Sequence, residues 1–98
     1  MKNYENQIRK LFVAIKNRAG DNLGYVRVGN NAKFVDVSKA VEYIMDVEDV
    51  RSVTVFDKDG DVLGVFGIEP ANYEYDIFDI VYDYSDNDFC DGVMELLK

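Results

Sequence analysis

Eight side chains, Glu74, Asp76, Asp79, Tyr82, Asp83, Asp86, Asp88 and Asp91, fall within one stretch, NYEYDIFDIVYDYSDNDFCDG (residues 72–92), that contains no Lys, Arg or His. Carboxylates at this density have three chemical uses: acid–base catalysis, holding a cation, or presenting negative charge to a positive partner. The rest of the chain decides among them.

Acid–base catalysis needs two acids in a cleft that drives their pKa values apart. Nothing in the pattern singles out such a pair from its neighbours. The chain has no histidine, which excludes a Ser-His-Asp triad, a Cys-His pair and any histidine-containing metal site within one chain. Its single cysteine, Cys90, forms no internal disulfide and no structural zinc site, and reads as a small apolar residue of a helix. Neither Gly-x-Gly-x-x-Gly nor Gly-x-x-x-x-Gly-Lys-Ser/Thr occurs, so no phosphate-cradling loop is signalled.

Cation binding meets its best candidate elsewhere, in DKDGD (residues 57–61), where three aspartates alternate as at the start of a calcium loop. The glycine and glutamate that such a loop needs at its sixth and twelfth positions are Val62 and Ile68 here. A hairpin turn explains the same residues. No cofactor, no metal and no catalytic residue is expected, and the chain reads as a non-enzymatic protein.

Presentation of charge remains. Residues 1–68 carry ten acids and ten bases, whereas residues 69–98 carry nine acids and only Lys98, which accounts for the net charge of −8. Such a surface repels nucleic acid and anionic lipid, so no direct nucleic-acid contact and no membrane contact is expected through it. The expected partner is a basic protein surface, such as the nucleic-acid site of an enzyme. Tyr73, Tyr75, Tyr82 and Tyr84 would add contact area at low entropic cost.

Ninety-eight residues, 48% of them apolar, suit one small domain (1–98) with an acidic, Tyr-rich last third (69–98). The longest apolar run, Leu11 to Ile15, is far short of a membrane span, and neither a charged-then-apolar leader nor an Asn-x-Ser/Thr acceptor occurs. These features predict a cytoplasmic protein.

The elements that position the acids follow from periodicity. Asn3 suits a helix cap, Tyr4, Ile8, Leu11, Phe12 and Ile15 share a helical face over 4–18, and Gly20 suits the C-terminal stop. LGYVRVG and AKFVDV flank Asn30-Asn31 as a hairpin, and Ser38 is placed to cap a helix over 39–47 that turns Val41, Ile44 and Met45 or Val47 inward. VRSVTVF and DVLGVFGI flank Asp57 to Gly60 as a second hairpin, with Val53, Val55, Leu63 and Val65 as candidates for its buried face. The match of GDNLGYV (20–26) to GDVLGVF (60–66) offers an alternative in which 10–17 is a strand and the first half repeats the second. Residues 73–84 fit either period: Asp76, Asp79 and Asp83 share a helical face, while the Ile, Val and Tyr content suits a strand. The acid spacing favours a helix, followed by a last helix over 87–97 capped by Ser85 or Asp86, with Phe89, Val93 and Leu96 or Leu97 inward. The fold expected is α+β, a mostly antiparallel sheet built from two hairpins with helices packed on it.

On a helix, acids three and four residues apart advance about 4.5 to 6 Å, of the order of the spacing between neighbouring phosphates on a strand. In composition this last third resembles small phage-type inhibitors of restriction or CRISPR nucleases, a class linked by charge and not by a motif. The resemblance implies a nucleic-acid mimic that occupies a basic nucleic-acid site. The alternative is a homo-oligomeric structural or assembly protein whose aromatics form the interface and whose acidity serves solubility.

Overall fold

A computed structural model of the chain describes residues 5–30, 32–46, 52–69 and 80–98. The elements are α1 (Glu5–Ala19), a 3-10 turn (Gly20–Asn22), β1 (Leu23–Val28), β2 (Ala32–Phe34), α2 (Val37–Asp46), β3 (Ser52–Asp57), β4 (Val62–Ile68), β5 (Val81–Tyr84) and α3 (Asp88–Leu96). The five strands form one antiparallel sheet in the order β2-β1-β3-β4-β5. This is the α+β domain that the periodicities predict, with a fifth strand added to the two hairpins.

α1 buries Ile8, Leu11, Phe12 and Ile15 of the apolar face read from the sequence, plus Ala14, while Tyr4 lies outside the described residues. Residues 10–17 are therefore helical, and the repeat alternative is overturned: an i, i+3, i+4 stripe needs a helix to reach the core as one face. Gly20 follows at φ +58°, a conformation that costs glycine nothing and ends the helix. α1 packs against both α2 and α3; α2 lies over β1 and β2, and α3 over β4. Val26, Val28, Val53, Val55, Phe66 and Ile68 rise from the sheet to meet them. Full burial of each such side chain contributes on the order of 1.5–3 kcal/mol before chain entropy is subtracted.

Three local expectations are corrected. The start of α2 is held by Asp36, whose side chain accepts a hydrogen bond from the Ser38 amide (2.9 Å), and not by Ser38. In the β3–β4 hairpin, Val55 pairs with Gly64 and Phe56 with Val62, so Leu63 is the extra residue of a bulge. That insertion shifts the inward set on β4 to Gly64, Phe66 and Ile68, with Leu63 packing on the core edge and Val65 on the opposite face. Of residues 73–84 the described part is Ile80–Tyr84: Ile80 is helical, but Val81–Tyr84 is strand β5, paired with Phe66–Ile68, so a helix does not extend to residue 84. Backbone pairing with an available sheet edge and the β-prone Val and Tyr residues outweigh the acid spacing. Asn3, Val47 and residues 73–79 lie outside the described residues.

Candidate functional site

Of the eight singled-out residues, Glu74, Asp76 and Asp79 lie outside the described residues. The other five, Tyr82, Asp83, Asp86, Asp88 and Asp91, are all exposed and come together at one corner of the domain: strand β5, the turn after it and the first turn of α3. Because β5 is a strand, Asp83 shares no helical face with the acids before it. Among the described residues, the spacing argument survives only on α3, where Asp88 and Asp91 stand three residues apart in the first turn.

Two small polar side chains fix this corner. The Ser85 amide donates to the Val65 carbonyl (2.9 Å), while the Ser85 hydroxyl accepts from the Val65 amide (2.9 Å), so pairing with β4 continues past the end of β5. Asn87 then spans two elements: Nδ2 donates to the Leu63 carbonyl (3.1 Å), and Oδ1 accepts from the Cys90 amide (2.9 Å). Asn87 is thus the cap of α3, in place of the expected Ser85 or Asp86, and α3 starts at Asp88. A Ser-Asp-Asn run offers three capping side chains in succession. Only the register with β4, which engages Ser85 and leaves Asp86 outside, selects the third.

Below the acids the helix sits close to the sheet. A side chain at Gly64 would collide with Cys90 Sγ, and Cys90 is fully buried, with burial pushing its thiol pKa up from the ordinary value. Cys90 is a packing residue, as its sequence context suggests. Val93 and Met94 are buried beside it and Leu97 packs partly, while Leu96 is 54% exposed.

The charge at this corner is left uncompensated. Glu95 pairs with Lys98 (3.6 Å), whereas Asp86, Asp88 and Asp91 have no ion-pair partner among the described residues. The helix dipole stabilises the two acids of the first α3 turn by a few tenths of a kcal/mol, up to about 1 kcal/mol each. Asp83 accepts a hydrogen bond from the Tyr84 amide (2.9 Å). No group of three or more metal-ligating side chains is gathered among the described residues, so the array has no cation-holding geometry there. At the other aspartate cluster, Asp57 Oδ1 accepts from the amides of Asp59 and Asp61 (2.9 Å each) and Gly60 sits at φ +86°, a turn that uses the carboxylate internally.

A second site-like surface escapes the charge argument because its region is neutral in sum. On the sheet face away from the helices, Tyr25 stacks on Phe56 (centroids 4.5 Å apart, 13° between planes). Lys33 Nζ lies 4.7 Å from the Tyr25 ring centre, and the Arg27 guanidinium 5.3 Å from that of Phe56. The alternation Tyr25-Val26-Arg27-Val28 carries the signal, with two valines inward and a ring and a cation outward.

The chain matches no protein-family model, and no curated protein or solved structure is significantly similar to it. Among the described residues, no helix is long and apolar enough to cross a membrane.

Proposed function

We propose that this chain is a non-enzymatic, cytoplasmic binding protein that presents the β5–α3 corner to the basic site of a nucleic-acid-binding protein and stands there in place of nucleic acid. One observation carries the reading: Asp86, Asp88 and Asp91 are exposed and without ion-pair partners among the described residues, on a turn that Ser85 and Asn87 tie to β4. The helix dipole offsets the mutual repulsion of these acids, so the fold carries their charge without needing it. A positive partner supplies the counter-charge on binding. Tyr82, 57% exposed beside the acids, supplies the aromatic contact that charge cannot.

The test is competitive. The immobilised protein should retain basic nucleic-acid-binding proteins at low salt and release them when duplex or single-stranded nucleic acid is added. Release should also follow a rise in salt, since attraction between exposed charges is screened over about 8–10 Å at physiological ionic strength. Retained proteins that stay bound in excess nucleic acid would contradict mimicry.

A further inference from the structure

We propose that the sheet face turned away from the described helices, with Thr54 and Phe56 buried at its centre and its exposed charges at the edges, is an interface between two copies of this chain, arranged as a closed two-fold dimer. In it, the Arg27–Lys33 end of one sheet lies over the β5 end of the other. This inference is argued from the sheet face and not from α3, and it shares the Asp83–Asp86 stretch with the basic-partner reading.

The first observation is a like-charge pair. Arg27 and Lys33 stand directly opposite each other on β1 and β2, an arrangement that is destabilising across antiparallel strands. Neither has an ion-pair partner among the described residues, and Arg27 Nε is buried without a hydrogen-bond acceptor. Resting over Phe56 and Tyr25 softens the repulsion and leaves the cations without an anion.

The second observation is an acid on the same face at the far edge. Asp83 pairs in register with Gly67, whose missing side chain leaves room for the Tyr82 ring on that face. Between the two ends lie Val65 and Val62, the latter 56% exposed and opposite Phe56. Among the described residues, the helices that contact the sheet do so on the other face.

Two sheets stacked face to face can be related by a two-fold axis along the strands or across them. An axis across the strands puts cations over cations. An axis along β3 exchanges the two edges, so that Lys33 of each copy lies over the Asp83–Asp86 stretch of the other, and symmetry makes the contact twice. Charge therefore selects the second arrangement. Five strands at about 4.8 Å spacing present on the order of 500 Å² of face per copy. The pair would bury on the order of 1,000 Å², enough for a dimer of about micromolar affinity. The net charge of −8 on each copy opposes association at long range, but is screened beyond about 8–10 Å, which leaves the contacts to decide.

The experiment is sedimentation of the wild type and of two exposed charge reversals, Lys33→Glu and Asp83→Lys, each checked for folding by circular dichroism. The wild type should be dimeric at about 100 µM, and each variant alone should associate about tenfold or more weakly, because two attractive contacts become repulsive. An equimolar mixture of the two variants should regain the dimer. There the acid introduced on β2 of one copy meets the base introduced on β5 of the other, while the remaining wild-type pair is kept. Val62→Lys, at an exposed position, should weaken the dimer without any change at the charge pairs. A wild type that stays monomeric at about 100 µM overturns the proposal, and so does a mixture no heavier than either variant alone.

Discussion

The two ends of the sheet handle surplus charge in opposite ways. At the β1–β2 end, two cations are placed face to face and each is laid over an aromatic ring, so the charge is absorbed by π-electron density within the domain. At the β5–α3 end, Asp86, Asp88 and Asp91 face solvent, and what holds them is the uncharged scaffold of Ser85, Asn87 and Cys90. Charge at the first end is part of the structure. At the second it is carried by the structure, with no ion-pair partner for Asp86, Asp88 and Asp91 among the described residues.

This contrast can be broken by substitution, beginning with two close approaches, one against backbone and one against a side chain. At the β1–β3 contact, a Cβ on Gly24 would strike the Asp57 carbonyl, which is backbone and has nowhere to move. Gly24→Ala is expected to cost about 3 kcal/mol or more in chemical denaturation, with no side-chain replacement able to recover it. At the acidic end the obstacle at Gly64 is a side chain, Cys90 Sγ. Gly64→Ala should cost about 2 kcal/mol, and adding Cys90→Ala should return part of that, a coupling that a double-mutant cycle measures directly. Removing the scaffold polar group with Asn87→Ala should lower stability by about 1–2 kcal/mol through loss of the α3 cap and the tie to Leu63. Tyr25→Leu, which keeps apolar bulk but loses the stack on Phe56 and the seat for Lys33, should cost about 1 kcal/mol by the same measurement.

The same contrast marks where the sequence is legible. α1 is readable because five inward residues repeat at helical spacing, and the β3–β4 turn because Asp57 to Gly60 carries its own turn chemistry. The word Gly-Asp-x-Leu-Gly does recur with meaning, though not as a repeat of elements. Gly20 and Gly60 both adopt positive φ, and Leu23 and Leu63 both sit at register shifts beside a glycine that must lack a side chain. Its upstream partners differ, a helix in one case and a strand in the other. The inward set of β4 is not readable because one inserted residue reverses parity, and no residue type announces a bulge at Leu63. β5 misleads because Asp83 continues the helical spacing of Asp76 and Asp79 in the sequence, while the pairing partner of β5 lies well upstream in β4. The Tyr25, Arg27, Lys33 and Phe56 surface is hidden for a simpler reason: its charges vanish in a sum over residues 1–68.

The proposed function rests on the acids of the β5–α3 corner being carried by the fold and not needed by it. The direct measurement is a paired one on a single variant, Asp86→Asn with Asp88→Asn and Asp91→Asn: thermal unfolding beside retention of the basic proteins captured by the wild type. Stability should stay within about 0.5 kcal/mol, as lost helix-dipole stabilisation offsets relieved repulsion, while retention should fall at least about tenfold. A variant that fails to fold, or one that folds and retains its partners undiminished, would contradict that claim.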